Sequence, residues 1–342
     1  RLPQNLRFYK PQNSMNVYME KLVEKGTAWF VRKRNGNMAV VAIDEEGEPR
    51  MYSSTLDPCP KTDPHSPWLD RFPHIEEDIR AMGFPARTVL LGEIVASLDN
   101  DDLEYVGSVM RAKTARALET QDTHGHLCLC LWDIAFHGGQ QLLGVNTYED
   151  RMTILESYAT KKREEIYITI PEILTGFSTG SKTSDALLHA RVVNWEGYVV
   201  VDPTATYADR GFTFHGKAER PKECCKLKPT YEADFIARWD PANGIGTWGK
   251  GRKSAGVGAV FLYLLDDKNQ EVFVSKVGGG FTEAQVIEFA DPKRYPKVWQ
   301  VEFARVTEDG SLEFPVFVRE RDDKEISECK MDQILRLQTA GD

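Results

Sequence analysis

The chain has 342 residues, 41% hydrophobic and 28% charged, an ordinary globular composition with length enough for two cored domains. No apolar run approaches the roughly 20 residues of a membrane helix, and no secretory signal stands at the start; opening on Arg1 rather than Met leaves room for a trimmed leader. The formal net charge of −9 argues weakly against nucleic acid as a partner, although such contact needs only a local basic surface.

Residues 14–55 read as strands and turns. Residues 17–19 lead to a turn at Gly26, and 28–31 and 38–43 are joined by Asn35-Gly36, a hairpin signal. Residues 57–74, with many Pro, Asp and His, predict an irregular loop. Next come a short helix over 75–82, an apolar strand over 89–95, a helix over 105–120 and a strand over 127–136. A helix over 151–159, a strand over 166–170, a helix over 183–193 and a strand over 197–201 complete the alternation, which predicts a mixed α/β domain to residue 231. Strands then dominate, at 235–239, 257–265, 271–277, 298–306 and 314–319, with one short helix at 284–290. That pattern suits a small β-barrel such as an OB-fold. The expected fold class is α+β, with domains 1–231 and 232–342.

Six cysteines, at 59, 128, 130, 224, 225 and 329, do not form a disulfide framework in a chain this long; reduced thiols in a cytoplasmic setting are expected. Basic clusters at Arg32-Lys33-Arg34, Lys161-Lys162-Arg163 and Lys250-Gly251-Arg252-Lys253 are either nucleic-acid contacts or solvated patches. The alternation in His124-Gly125-His126-Leu127-Cys128-Leu129-Cys130 places His and Cys along one strand face, and a straight row cannot surround zinc tetrahedrally. Gly278-Gly279-Gly280 lacks the Lys-Ser or Lys-Thr of a phosphate loop and reads as a turn.

Several fragments carry chemistry. Leu91-Gly92-Glu93-Ile94-Val95 and Glu196-Gly197-Tyr198-Val199-Val200 each set an acid beside glycine on an apolar strand, where a ligand could approach closely. Such acids, with Asp133 as a third, could bind a hydroxyl or a divalent metal, or be structural. Lys226 and Lys228 share a strand face; either an anion such as a triphosphate lies between them, or they guard a strand edge. Arg319 and Arg321 share a face in the same way and could grip phosphate, or belong to a solvated charged run.

Taken in order, these fragments resemble the covalent nucleotidyltransferase superfamily, and within it the small bacteriophage ATP-dependent DNA ligases. The likeness covers nearly the whole chain. It rests on Leu91-Gly92-Glu93-Ile94-Val95, Leu131-Trp132-Asp133-Ile134, Glu196 to Val200 running into Asp202-Pro203, Lys226-Leu227-Lys228-Pro229 followed by Glu232-Ala233-Asp234, and Arg319-Glu320-Arg321-Asp322-Asp323-Lys324. The family's first motif is Lys, any residue, Asp, Gly, and this chain departs from it. Around Glu20-Lys21-Leu22-Val23-Glu24-Lys25-Gly26, strict spacing from Gly26 puts Val23 in the lysine slot. Lys21 is the favoured nucleophile, with Glu20 beside it at the nucleotide; Lys25 is a second candidate, and a lost lysine at Val23 a third. Val201 stands where the fourth motif usually ends in a lysine or arginine, a charge that residues 32–34 could supply.

The resemblance implies an ATP-grasp-like adenylation domain and an OB-fold domain hinged near residues 232–235. Nicks would be sealed through a lysyl-AMP and a DNA-adenylate, using ATP and Mg²⁺. Glu93 would hold ribose or metal, Trp132 would stack on adenine, Glu196 would bind Mg²⁺, and Lys226 and Lys228 would hold the α-phosphate. Arg319, Arg321, Asp323 and Lys324 would orient the pyrophosphate. The implied partner is nicked duplex DNA, bound by a monomer through salt-sensitive phosphate contacts. With no large helical domain ahead of residue 14, a minimal ligase is expected. Alternatives are an RNA ligase, a capping-type nucleotidyltransferase, or a nucleophile-deficient protein that binds ATP and DNA without self-adenylylation.

Overall fold

A computed structural model describes residues 2, 3, 6, 9–99, 101–159, 167–175, 183–207, 220–251, 254, 256–307 and 309–338, and the statements below concern these. The basic cluster at 161–163 and two residues of the cluster at 250–253 lie outside them. The chain forms two compact units, Arg1–Lys228 and Pro229–Asp342.

The first unit begins with α1 (Val17–Glu24), where strand and turn were expected. Asn16 caps it, its side chain accepting from the Met19 amide. The buried residues Met19 and Val23 are four apart, the spacing of a helix face rather than of a strand. Then follow β1 (Trp29–Arg32), β2 (Asn37–Ile43), β3 (Pro49–Ser53), α2 (Pro73–Met82) and β4 (Thr88–Val95). The predicted hairpin does not form. β1 and β2 enter different sheets, and Asn35-Gly36 is a crossover. A Cβ on Gly36 would sit 2.0 Å from the Ile94 carbonyl oxygen, so glycine serves there to let the chain press on β4.

The helix expected over 105–120 is broken into α3 (Leu103–Arg111) and α4 (Thr114–His124). Ala112 and Lys113 are extended between them, and the Asp63 carboxylate accepts from the Thr114 amide. The first unit continues with β5 (Cys128–His137), β6 (Gln140–Gln141), α5 (Tyr148–Ala159), β7 (Ile168–Thr169), β8 (Ile173–Leu174), α6 (Thr183–Val192), β9 (Tyr198–Val201) and β10 (Cys224–Leu227). Because α4 runs to His124, the residues from His124 to Cys130 are not one strand.

Two sheets result. One has the order β3-β2-β4-β5-β6, with β7 parallel to β5; the other has the order β10-β9-β1-β8. The first carries the larger core, including Val40, Leu91, Leu129 and Ile134. On the second, Phe30, Tyr198 and Val200 pack with Met19 and Val23 of α1 and Ala186 and Ala190 of α6. Each large apolar side chain so buried contributes about 1.5–3 kcal/mol.

The second unit is built on β11 (Tyr231–Arg238), β12 (Thr247–Trp248), β13 (Val257–Leu265) and β14 (Glu271–Val277), then α7 (Glu283–Glu288), β15 (Lys297–Phe303), β16 (Arg305–Val306), β17 (Leu312–Glu313), β18 (Val316–Glu320) and α8 (Asp332–Gln338). Its main sheet runs β12-β13-β11-β15-β18, with β14 on β13. Phe235, Leu262, Trp299, Phe303 and Phe317 are in its own core. Residues 232–235, where a hinge was expected, are inside β11 and paired with β15. The fold is mixed α+β.

Candidate active site

A cavity of about 290 Å³ lies in the first unit, near the small end of the roughly 300–1,000 Å³ usual for small-molecule sites. Its apolar wall includes Trp132, Tyr148, Met38 and Val199; its polar lining includes Glu93, Lys10, Lys33 and Lys226. β4 delivers Glu93 and β5 delivers Trp132, while β10 delivers Lys226 from the other sheet.

Glu196 joins this group through lysines. Lys33 Nζ donates to Glu196 at 2.5 Å, and Lys228 donates to the second carboxylate oxygen. Glycine makes this possible: Gly197 has φ of +135°, and a Cβ there would come 2.3 Å from the Leu227 carbonyl oxygen. β9 and β10 therefore close on each other just where the acid and the lysine must meet. Burial, more than the neighbouring Glu196, pushes the Glu93 carboxyl up to about 7 against the pull of Lys33. Burial first, then Lys33 and Lys228, hold the Lys226 ammonium below its ordinary value. A polyanion entering here would meet four lysines, Lys10, Lys33, Lys226 and Lys228, and two acids.

Lys10 reaches this cavity from a segment tied to β10. The Gln12 amide donates to the Cys224 carbonyl at 2.8 Å, and the Lys226 amide donates back to the Gln12 carbonyl at 2.9 Å. Arg220 also donates to the Pro11 carbonyl and the Asn13 side chain. The lysine is thus carried beside the strand bearing Lys226.

A family of known sequences matches this arrangement. Residues 10–212, more than half of the chain and opening on Lys10, match the model of the ATP dependent DNA ligase domain. The chain belongs to that family. It is 26% identical over 285 residues to a DNA ligase of Thermococcus fumicolans, covering 81% of this chain and 45% of the relative. It is 25% identical over 264 residues to DNA ligase 1 of Drosophila melanogaster, covering 63% and 33%. The chain thus spans less than half the length of these relatives. Among solved structures it resembles Pmar-Lig_PreS3, with a TM-score of 0.65 at 18% identity over 92% of this chain and 68% of that one. It also resembles a Lig E DNA ligase described as binding DNA with a minimal scaffold, with a TM-score of 0.62 at 14% identity over 91% and 99%. These likenesses show a shared fold.

For this ligase-family chain, the residues singled out in the sequence divide into groups. Glu93, Trp132 and Lys226 line the cavity, and Glu196 and Lys228 are linked to it through Lys33. All three residues of the basic cluster 32–34 line the cavity; Arg32 and Arg34 are largely buried and pair with Glu172 and Asp101. Val201 lines the cavity without charge.

Glu20, Lys21 and Lys25 are exposed on or just after α1, outside the cavity lining. Val23 is in the core beneath that helix. Asp133 is not open to a metal or hydroxyl: it is fully buried, and Arg151 grips both its oxygens at 2.7 and 2.8 Å. In the second unit Arg321 and Lys324 both donate to Asp234, Arg321 also to Asp323, and Arg319 to Gln300.

Lys33 went unremarked as a motif lysine because Lys33-Arg34-Asn35-Gly36 has Asn where the family motif has Asp. The signal was the spacing, a lysine three residues before the glycine at 36. Among the described residues no group of three or more acids, His or Cys could hold a metal. Two carboxylates beside a phosphate site are nevertheless what Mg²⁺ commonly uses, with phosphates and water completing its shell. No described helix is long and apolar enough to cross a membrane, and all six cysteines are unpaired.

Proposed function

We propose that this chain is an ATP-dependent DNA ligase of the minimal type that seals 5′-phosphate/3′-hydroxyl nicks, with Lys33 as its nucleophile. The supporting observation is that Lys33 lines the cavity holding Trp132, Glu93 and Lys226 and opens Lys33-Arg34-Asn35-Gly36, the family's spacing with Asn in place of Asp, whereas Lys21 and Lys25 do not line it. On this reading the first unit is an ATP-grasp-like adenylation domain and the second an OB-fold domain.

The Lys33 amine attacks the α-phosphorus of ATP, an N–P bond forms, and pyrophosphate leaves. Trp132 offers its ring to adenine, and Lys10, Lys226 and Lys228 neutralise phosphate oxygens. Glu93 and Glu196 would hold Mg²⁺, which supplies charge neutralisation at the phosphates when bound. AMP then passes to the nick's 5′-phosphate, and the 3′-hydroxyl displaces it. Arg319, Arg321, Asp323 and Lys324 would orient pyrophosphate. Engaging it would require Arg321 and Lys324 to exchange Asp234 for phosphate oxygens.

The test is intact mass after incubation with ATP or GTP and Mg²⁺, with peptide mapping, for wild type, Lys33→Ala, Lys10→Ala and Lys21→Ala. A single AMP adduct from ATP, mapped to Lys33 and lost only in Lys33→Ala, is expected. An adduct on Lys10 or Lys21 would sink the assignment, and a GMP adduct or sealing of nicked RNA but not DNA would favour the capping or RNA-ligase readings. Absence of any adduct would identify a nucleophile-deficient protein.

A further inference from the structure

Lys33 sits where the chain leaves one sheet for the other. It lies one residue beyond β1, and its amide donates to the Gly197 carbonyl at 2.9 Å. Its amine donates to Glu196 at 2.5 Å and to the Arg34 carbonyl at 3.3 Å. Both flanking residues, Arg32 and Arg34, are arginines, and each is only 5% exposed. Side chains of this length and charge are seldom so buried unless they are paired.

All three side-chain nitrogens of Arg34 donate. Nε reaches Asp101 Oδ1 at 2.7 Å, Nη1 the Leu98 carbonyl at 2.8 Å and Nη2 the Ser97 carbonyl at 2.6 Å. Arg32 donates through Nη1 to Glu172 at 2.9 Å and through Nη2 to the Asp99 carbonyl at 3.0 Å. That Nη2 also lies 3.9 Å from Asp101 Oδ2, and the guanidinium stands 4.5 Å from the ring centroid of Trp195, the neighbour of Glu196. Residues two apart in an extended chain share a face. Both guanidiniums accordingly meet the segment after β4, while Lys33 between them meets Glu196. The end of β1 is thereby tied to the strand that carries Glu93. Buried ion pairs are weak grounds for stability, but a planar fork of donors fixes a geometry that a single ammonium does not.

We propose that Arg32 and Arg34 are positioning residues that, through Asp101 and the carbonyls after β4, hold the Lys33 amine at the cavity. The inference rests on the Lys33 assignment above. Lysine attack belongs only to self-adenylylation; sealing a pre-adenylated nick does not use it. A positioning role therefore separates the two reactions, and a general loss of structure does not.

The variant is Arg34→Lys, which keeps the charge and loses the fork. Single-turnover AMP-adduct formation at saturating ATP is expected to slow by roughly 10–100-fold. The loss in sealing a pre-adenylated nicked duplex should be smaller by at least about fivefold, because only the placement of Lys33 has changed. Equal losses in both reactions of the folded variant, no loss in the first, or a loss that more ATP restores would overturn the proposal. Should Arg34→Lys not fold, Asp101→Asn, which keeps an oxygen for Nε and removes only the charge, is read by the same criteria. Lys33→Ala is measured alongside. If it still forms the adduct, the Lys33 assignment falls and this proposal with it; if it is dead while Arg34→Lys is unimpaired, only the positioning role falls.

Discussion

Glu93 shows how one side chain's surroundings set its chemistry. Its folded-state value of about 7 stands above the ordinary 4.5. Across that window the folded chain binds more protons than the unfolded one, so stability falls as pH rises from about 4.5 to about 7 and then levels. Glu93→Gln is expected to flatten the dependence of Tm on pH between about 5 and 7.5, measured without nucleotide. An unchanged slope would assign the titration elsewhere. Val23 gives a second test. If the slot had lost a lysine, Val23→Lys should restore adduct formation. Because Val23 is 2% exposed in a packed core, the substitution is expected instead to destabilise the fold by more than about 2 kcal/mol, seen as a lower urea midpoint with no gain in adenylylation.

Among the elements, the pairing of β9 with β10 matters most to the site. Val199 faces Lys226, and Tyr198 faces Leu227. Gly197 lets the strand ends converge so that Glu196 meets Lys228. Gly197→Ala is expected to cost at least about 2 kcal/mol from the forced backbone shift. It should also weaken ATP binding, read by titration calorimetry; unaltered affinity would mean the acid and lysine need not be juxtaposed. The long apolar strands were legible: 89–95, 127–136, 257–265 and 271–277 correspond within a residue or two to β4, β5, β13 and β14. Segment 17–24 was misread because Val and Tyr favour strands locally. What decided the helix was the Asn16 cap and the burial of Met19 and Val23 against α6 and β9, which is tertiary. Asn35-Gly36 misled in the same way, since glycine's use for close approach and its use in a turn look alike in sequence.

At the scale of the molecule there are two units with separate cores. Leu91→Ala removes packing from the first core and Phe235→Ala from the second; each is expected to cost about 2–5 kcal/mol. Scanning calorimetry should show each substitution lowering a different transition. One shared transition, moved equally by both, would show that the cores unfold together. With a net charge of −9, the duplex binding proposed above would depend on local cations. The dissociation constant of nicked DNA is expected to rise with salt, with a slope near 0.9 per phosphate contact.

Residue chemistry in chain order was enough to indicate the ligase family, two domains and the acids and lysines around Glu93, Glu196, Lys226 and Lys228. Those motifs sit on short, strongly apolar strands whose pattern is local, so their placement could be read without the fold. Which lysine borders the cavity could not. Lys21 and Lys33 each stand a few positions ahead of a glycine, and neither segment carries the motif's Asp. Only the meeting of the second with Glu196, a contact between residues 163 apart, holds it in the cavity, while the helix packing of Met19 and Val23 turns the first toward solvent.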